Sequence, residues 1–421
     1  MISRLASLLR PRRLAAWSGG LLFLTAFFYA HAMSTPGYID RVGRFKGTDY
    51  IQFYVMGSMV LEGRPEALFD GTAHLAEGRR RIDPTLDRYA AHPNYGPQVA
   101  LAIVPLALLP FGWSLAVFLG LMALCYAGTV WLLWRDCPGL RDYGWPVAII
   151  AAASPAFWAM IRYGQLSAVT LLLIALALTA LRRDHLYAAG LAIGGLAFKP
   201  QLGVVIAVVL IAARERRIVA GALTSVAGQL AIGWAAAGTA AMSQYIEVLW
   251  RLLLDPSLVQ LHPTEVHSVR GFLQLMIPSA AAVTMCYWVS LLALLPIAVR
   301  SWTSGGPVTV RWGSLVVLTT IGAPHLLTYD LLLLTVPLLI LADWCVRHAD
   351  DPRRPAVALL LVPVYLAPFS GNFARLIHVQ LSVVAMVLLA WCVHRLLTER
   401  ADSTDAAGRH AVVGLEAPPA T

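Results

Sequence analysis

The chain has 421 residues, of which 58% are hydrophobic and 13% charged, and its formal net charge is +9. Soluble domains carry about 25% charged residues, so this composition, with a mean hydropathy of +0.68, excludes an ordinary water-soluble enzyme. The basic excess does not indicate nucleic-acid binding, because the arginines collect at the ends of apolar segments, as membrane topology requires. The sequence therefore predicts a polytopic membrane protein.

The first apolar segment, residues 14–33, follows a cluster of arginines that ends at Arg12 and Arg13. A cleaved signal peptide is the alternative interpretation. The apolar stretch is long for a signal peptide, however, and Ala30, His31 and Ala32 form a weak cleavage site. We expect this segment to be retained as the first transmembrane helix.

A long polar segment, residues 38–97, follows the first span, and we expect it to form an outer loop. Residues 50–61 and 72–81 have the pattern of short helices that lie along the membrane surface. Residues 97–109 are apolar but too short to cross the bilayer comfortably, so they are expected to be re-entrant or interfacial.

Further apolar segments fill the rest of the chain: 111–134, 144–161, 165–181, 186–198, 201–213, 217–239, 279–299, 309–323, 326–346, 355–369 and 376–396. A helix needs about 20 apolar residues to cross a bilayer. Together with the first segment, they predict an all-α transmembrane bundle of about twelve spans within residues 1–398. Segments 186–198 and 201–213 flank Lys199–Pro200 and fit either two short spans or one re-entrant hairpin. Residues 399–421 are small and polar, which predicts a disordered tail.

The arginine-rich loops favour an orientation with both termini in the cytoplasm. The opposite, outer side then collects acidic, cationic and hydrogen-bonding groups from residues 47–50, 92–97, 162–165, 199–201, 262–268, 325–330 and 370–375. A charge at membrane depth costs about 2.5–3.5 kcal/mol, so such groups are candidates for a function. This outer side predicts a site for a polar ligand.

Most of these side chains also have a structural interpretation. Asp49 could stabilise the start of its helix, and Lys199 or Arg162 could anchor a helix at the membrane interface. Gln165 could bridge neighbouring helices, and Asp330 could cap the helix that follows it. Their shared side favours the functional interpretation, because independent structural roles would not place all of them together.

Motifs for metals and nucleotides are absent from the sequence. There is no HExxH, and His262 and His267 lack a third ligand nearby. Asp40, Asp49 and Asp70 do not form a DxD pair, and no Gly-rich phosphate loop or GxSxG occurs. We expect no metal site and no cofactor, although a divalent metal stays possible.

Five stretches, in this order, resemble glycosyltransferase family 87: GTDYIQFYVMGSMVLEGRPEALFD, NYGPQVALAIVPLALLP, YGQLSAVTLLLIALAL, AAGLAIGGLAFKPQLG and PHLLTYDLLLLTVPLL. The resemblance covers roughly residues 40–345. It implies a GT-C membrane fold related to the α-mannosyltransferases that use polyprenol-phosphate-mannose. The implied reaction moves a mannose-like hexose from a polyprenyl-phosphate carrier to a lipid or glycan hydroxyl, at the outer face of the plasma membrane.

The resemblance also implies roles for individual residues. Asp49 matches the family's acid in the first outer loop, which is its presumed catalytic base, and one base predicts inversion at the anomeric carbon. The resemblance also matches Gln165, Lys199, His325, Tyr329 and Asp330, whereas His267 and Arg270 are candidates only from their place on the predicted outer side. The expected ligands of the donor phosphate, with Lys199 first, are Lys199, His325, Arg162 and Arg270. The expected contacts to the substrate are Tyr50, Tyr54, Asn94, Tyr95, Gln165, His267, Tyr329 and Asp330. The helix that begins at Tyr50 and the apolar stretch 97–110 are expected to form the lateral wall that contacts the lipid chain of the donor.

A transporter or lipid flippase with an outward polar vestibule is the alternative function. The break at Lys199–Pro200 suits such a protein. Transporters with inverted repeats, however, tend to carry a matching broken helix in the second half, and none is apparent here.

Overall fold

The computed structural model describes residues 10–86, 93–254 and 262–413, except for the side chains of 253–254 and 399–413. Within these residues the chain forms α-helices joined by turns and 3-10 segments, and two isolated β-bridges join Ile39 to Phe45 and Val266 to Leu327. The predicted all-helical class is confirmed.

The helices of the first half are α1 (Pro11–Met33), α2 (Tyr50–Leu61), α3 (Gly71–Arg81), α4 (Pro97–Ala107), α5 (Phe111–Arg135), α6 (Gly144–Ala152), α7 (Pro155–Tyr163), α8 (Ser167–Arg182) and α9 (Leu186–Gly194). The second half holds α10 (Pro200–Ala212), α11 (Arg216–Leu254), α12 (Val269–Met276), α13 (Ala280–Thr303), α14 (Val308–Gly322), α15 (Thr335–Arg347), α16 (Arg354–Tyr365), α17 (Ser370–Ile377) and α18 (Leu381–Val413). The predicted disordered tail thus begins as a continuation of α18, and residues 414–421 lie outside the described residues.

Among the described residues, six helices are long and apolar enough to cross a membrane, and up to eight spans result if each of two bent pairs counts as one. The predicted number of about twelve is not confirmed. Four predicted spans are short helices of 10–17 residues, namely Ser167–Arg182, Leu186–Phe198, Pro200–Ala212 and Val308–Gly322. The predicted ranges of these segments were already shorter than the roughly 20 residues that a full crossing needs, and counting each of them as a span made the predicted number too high.

Proline determines where several of these helices begin. Pro11, Pro97, Pro155 and Pro200 each occupy the first helical position, where the missing N–H costs no hydrogen bond and the fixed φ suits the helix. Pro200 thereby begins a new helix immediately after Lys199, which is the helix break that the sequence indicated.

Glycines allow α9 and α11 to cross closely. A Cβ added to Gly190 would lie 2.0 Å from the carbonyl oxygen of Ile218, and one added to Gly194 would lie 2.3 Å from that of Ala222. Gly190 and Gly194 form a GxxxG pattern, which brings helix backbones together in membranes. This crossing holds the segment that leads to Lys199.

One of the two short helices predicted to lie along the membrane surface is buried in the protein. Helix α2 is buried from Tyr50 to Met59 and packs against α4. An ion-pair cluster ties its end to α3: Glu62 accepts from Arg81 at 2.6 Å, and the buried Glu77 accepts from Arg64 at 2.6 Å. Hydrogen bonds from Arg81 and its neighbours lower the pKa of Glu62 to about 2. The predicted outer loop therefore contains helices that pack against each other, and α2 is a buried helix among them.

Candidate active site

A cavity of about 1450 Å³ lies among the segments that were predicted to share the outer side. Its polar lining comes from residues 44–52, 94–95, 162–165, 199–201, 264–270, 325–330 and 371–375, and the rest of its surface is apolar. The structure thus brings together residues that are more than 300 positions apart in the chain.

The floor of this cavity is formed by two chain segments that cross at close range. The backbone N–H of Asp49 donates to the carbonyl of Tyr163 at 2.9 Å. Gly164 ends α7 with φ +71°, and a Cβ there would lie 2.7 Å from the Cβ of Tyr50. Only glycine allows both this conformation and this approach. The crossing carries Gln165 to the side of Asp49.

The carboxylate of Asp49 is held by a chain of hydrogen bonds. Gln165 Nε2 donates to Asp49 Oδ2 at 2.7 Å and to the Tyr329 hydroxyl at 3.2 Å. The Tyr95 hydroxyl donates to Gln165 Oε1 at 3.2 Å, which turns the amide nitrogen toward Asp49. Asp49 is the N-cap residue of α2 and its side chain makes no capping hydrogen bond, although its charge lies at the positive end of the helix dipole.

Asp49 also differs from the other carboxylates of the cavity in its electrostatic partners. Asp330 lies 2.7 Å from Lys199 Nζ, and Glu265 lies 3.4 Å from Arg375 Nη2. No ion pair within 4.0 Å joins Asp49 to a cation of the described chain. Burial raises the pKa of Asp49, while hydrogen bonds from Gln165 and Tyr329 oppose the shift. A carboxylate in these surroundings is a stronger base than an ordinary aspartate.

Lys199 is buried, with 2% of its surface exposed, and its charge is already matched. Its Nζ lies 2.7 Å from Asp330 Oδ1, which also accepts from Ser167 Oγ at 2.8 Å. The same nitrogen is 5.2 Å from the centre of the Tyr329 ring. Lys199 was expected to be the first phosphate ligand because it is a point cation at a helix break; in the structure, this cation is paired with Asp330.

Other basic groups border the cavity, and among them are Arg162, Arg270 and His325. Arg162 lies 3.5 Å from Asp40, whose Oδ1 already accepts from the backbone N–H of Val42 and Arg44. Burial, with a smaller contribution from Arg270, lowers the pKa of His325 to about 4. His325 is consequently neutral at pH 7 and can offer a neutral N–H to an anion.

Three predicted substrate contacts do not line the cavity. The Tyr50 hydroxyl pairs with Ser114 Oγ at 2.6 Å, and the Tyr54 hydroxyl donates to the carbonyl of Leu109 at 2.9 Å. His267 is fully buried between Ser382 and Thr328. These side chains hold helices together. Asn94, Tyr95, Gln165, Tyr329 and Asp330 do line the cavity.

Sequence reasoning missed Arg44 and Gln52, two polar residues of the lining. Arg44 lies just before the GTD stretch. Gln52 lies three residues after Asp49, a spacing that puts both on one helix face. That spacing was the available signal.

The apolar walls also differ from the expected ones. No residue of α4 lines the cavity, and α2 contributes only Ile51 and Gln52. One wall comes from α1 and α7 and another from α10 and α13, through Leu21, Leu24, Phe28, Trp158, Val204, Val205, Tyr287, Trp288 and Leu291. In the described part of the chain, no group of three or more His, Cys, Asp or Glu side chains is placed to hold a metal ion.

The helices and the cavity define an integral membrane protein with a sheltered polar site. The model of glycosyltransferase family 87 matches residues 94–328, more than half of the chain, so the chain belongs to this family and is a membrane glycosyltransferase. Asn94, Gln165, Lys199 and His325 lie inside the matched region, and Asp49 precedes it. No curated protein and no solved structure matches the chain.

Proposed function

We propose that this glycosyltransferase moves a mannose-like hexose from a polyprenyl phosphate to a hydroxyl of a lipid or glycan, on the outer face of the plasma membrane. The observation that carries the proposal is the placement of Asp49. Its carboxylate has no ion-pair partner in the described chain and is oriented by Gln165, in a cavity bounded by basic groups and apolar walls.

Asp49 acts as the general base. It accepts the proton of the acceptor hydroxyl as that oxygen attacks the anomeric carbon, and the bond from this carbon to the phosphate oxygen breaks on the opposite face. The anomeric configuration is therefore inverted. The leaving polyprenyl phosphate needs no proton, so a second acidic group is not required.

The departing phosphate is stabilised by the basic side of the cavity. Arg270 and His325 are electrostatically coupled across the segments that the Val266–Leu327 bridge joins. A guanidinium and a neutral imidazole N–H provide donors for a developing phosphate charge. Arg162 and Arg44 also line the cavity and add positive charge to it. Lys199 serves mainly to fix Asp330 and the ring of Tyr329.

The isoprenoid chain of the donor lies along an apolar wall of the cavity. We favour the wall formed by α10 and α13 as the lipid-binding wall, because its residue Tyr287 interacts electrostatically with Arg270. A lipid entering there presents its phosphate to Arg270 and its sugar to Asp49. Membership in a glycosyltransferase family does not favour the transporter alternative.

The test is transfer by purified protein in nanodiscs, with radiolabelled polyprenyl-phosphate-mannose and a membrane lipid extract as acceptor. Asp49→Asn removes the base with little change of volume and is expected to reduce transfer by roughly 100-fold or more. Glu265→Gln is the matched control, a second cavity carboxylate that we expect to be dispensable. Substantial turnover by Asp49→Asn would remove the base assignment. Failure of the unchanged protein with every polyprenyl-phosphate sugar would remove the donor class.

A further inference from the structure

Two apolar helices of the described chain are broken, and they meet at their breaks. Pro138–Ala152 joins α7 at an angle of 44°, and α16 joins Ala367–Ile377 at 47°. The Tyr365 hydroxyl, at the end of α16, donates to the carbonyl of Ile150 in α6 at 2.8 Å. Helix α7 also packs against Ala367–Phe369, the turn just after the second break. The second half of the chain therefore does contain a broken helix, which the sequence did not reveal, and it pairs with α6 and α7.

The break between α6 and α7 follows from a proline. Pro155 has no N–H, so the carbonyl of Ala151 cannot make its normal helical hydrogen bond. The N–H of Ser154 donates to Ala151 at 3.1 Å, whereas in a straight helix it would bond to Ile150, four residues back. Residues 153–156 are buried, which leaves little access for water. The last turn of α6 therefore needs hydrogen-bond donors from other side chains.

Aromatic side chains of α16, α5 and α7 supply these donors. Tyr365 donates to Ile150, the Tyr126 hydroxyl to Ala151 at 3.0 Å, and Trp158 Nε1 to Ala152 at 2.9 Å. The Tyr126 ring also stacks on Phe157 in the first turn of α7, with ring centroids 4.8 Å apart. Tyr126 and Tyr365 lie outside the lining of the cavity, so any effect they have on the reaction must pass through the backbone that they hold.

Helix α7 connects this break to the catalytic site. It has nine residues and is about 13 Å long, and it ends at Gly164, next to Gln165. A tilt of about 5° at the break moves the far end by about 1 Å. A displacement of this size at a reacting centre can cost up to about 100-fold in rate. Helix α7 also packs along Thr328–Leu334, so the same tilt disturbs Tyr329.

We infer that Tyr365 and Tyr126 are positioning residues for glycosyl transfer, a role that rests on the proposed assignment of Asp49 as the base. By holding the carbonyls at the break, they fix the direction of α7 and thereby keep Gln165 against Asp49. The joint between two broken helices, outside the cavity, thus sets the geometry of the base.

The kinetic experiment removes one hydroxyl at a time and keeps the aromatic rings. In the nanodisc transfer assay, Tyr365→Phe and Tyr126→Phe are each expected to lower kcat about 3- to 10-fold, with little change in the KM for the donor. The acidic limb of the pH–rate profile should move to higher pH, because Asp49 loses part of its hydrogen bond from Gln165. Thermal unfolding checks that each variant folds, and either tyrosine variant gives the test if the other does not.

A double-mutant cycle separates positioning from a general loss of stability. If Tyr365 acts through Gln165, then Tyr365→Phe should lower kcat by a clearly smaller factor in a Gln165→Leu protein than it does alone. Tyr187→Phe is the matched control, because the Tyr187 hydroxyl also joins two helices, by a hydrogen bond of 2.8 Å from α9 to Thr224 in α11. We expect this control to leave kcat unchanged.

A second measurement needs no donor. The N–H of Asp49 donates to the carbonyl of Tyr163 at the end of α7, so its hydrogen exchange reports whether α7 still meets the start of α2. Exchange in a peptide that covers residues 47–52 should be faster in Tyr365→Phe than in the unchanged protein or in Tyr187→Phe.

Unchanged kcat in folded Tyr365→Phe and Tyr126→Phe proteins would overturn the inference. Equal factors in the two backgrounds of the cycle, unchanged exchange at Asp49, or an equal loss of kcat in Tyr187→Phe would do so too. Failure of the proposed function has a different signature, since Asp49→Asn would then keep its turnover while exchange at residue 49 still responded to Tyr365→Phe.

Discussion

Gln165 acts on Asp49 through the orientation of a single amide. Because Tyr95 donates to Oε1, the nitrogen must face the carboxylate, and this nitrogen also contacts Tyr329. The N–H stabilises the charged form of Asp49 and fixes the direction of its free lone pairs. In the proposed mechanism, Gln165 is therefore a positioning residue, in addition to the sugar contact expected from the sequence.

The first prediction separates positioning from simple packing. Gln165→Leu removes a hydrogen bond to the carboxylate, so the already raised pKa of Asp49 moves further up. The acidic limb of the pH–rate profile should move to higher pH, because the base must be deprotonated to act. We expect kcat to fall by roughly 10- to 100-fold.

The measurement is kcat/KM between about pH 5 and 9, and Tyr95→Phe is the companion variant. Tyr95→Phe keeps Gln165 but removes the hydrogen bond that orients its amide. The acidic limb of its pH–rate profile should therefore move in the same direction as in Gln165→Leu, by a smaller amount. A lower kcat with an unmoved acidic limb would show that Gln165 only packs.

The second prediction concerns the buried pair of Lys199 and Asp330. Lys199→Met leaves Asp330 buried without its cation and is expected to lower the free energy of unfolding by about 3–5 kcal/mol. The double variant Lys199→Met/Asp330→Leu removes both charges and should recover most of that stability. Thermal unfolding and the KM for the donor are measured together. If the double variant folds but its donor KM rises by an order of magnitude, the pair of Lys199 and Asp330 contacts the donor and is not only structural.

At the scale of secondary-structure elements, the site depends on how two short stretches cross. The sequence analysis placed both stretches, GTD at 47–49 and YGQ at 163–165, among the polar segments of the predicted outer side. Their contact through Asp49 N and Tyr163 O was not predictable, because it depends on α7 ending at Gly164 against the start of α2. Local patterns find such stretches, and the packing of distant helices decides which of them meet.

The third prediction tests this crossing. Gly164→Ala introduces a Cβ at φ +71° and 2.7 Å from Tyr50 Cβ, so the segment must shift and carry Gln165 away from Asp49. Transfer is expected to fall by about 10-fold or more, because small misplacements at a reacting centre are costly. Gly120→Ala is the control: Gly120 lies inside α5 with open space around its Cβ position. Equal activity of the two alanine variants would contradict the structural role of the crossing.

The fourth prediction uses the buried histidine that joins the segment before α12 to the start of α18. Burial lowers the pKa of His267 to about 3, while an unfolded histidine titrates near 6.5. The unfolded chain therefore takes up a proton first, so the stabilisation is complete above about pH 6.5 and is lost progressively as the pH falls.

In His267→Gln this contribution disappears, so the loss of stability between about pH 7.5 and 5 should shrink by up to about 2 kcal/mol relative to the unchanged protein. Thermal unfolding at both pH values measures it. His325 has a similarly lowered pKa, so part of the pH dependence of stability remains in the His267→Gln variant. An identical slope in the variant would mean that His267 does not stay neutral in the folded protein.

At the scale of the whole molecule, the composition was enough to predict a helical membrane protein, and Pro200 was enough to predict the break after Lys199. The composition was not enough to predict the number of spans, because some apolar helices, such as Pro200–Ala212, are short. The buried state of α2 was also missed, because its partners α3, α4 and α5 can be identified only after folding. Apolar content indicates that a segment avoids water but does not distinguish a lipid neighbour from a protein neighbour.

The last prediction concerns the side of the membrane on which the cavity opens. Arginines such as Arg182 and Arg183 lie in the turn between α8 and α9, and the positive-inside rule puts that turn in the cytoplasm. Asn372 lines the cavity and is exposed. With the five native cysteines replaced, Asn372→Cys should react with a membrane-impermeant maleimide in intact cells. Arg183→Cys should react only after the membrane is opened. The reverse pattern would put Asp49 on the cytoplasmic side, where an outer-face lipid donor could not reach it.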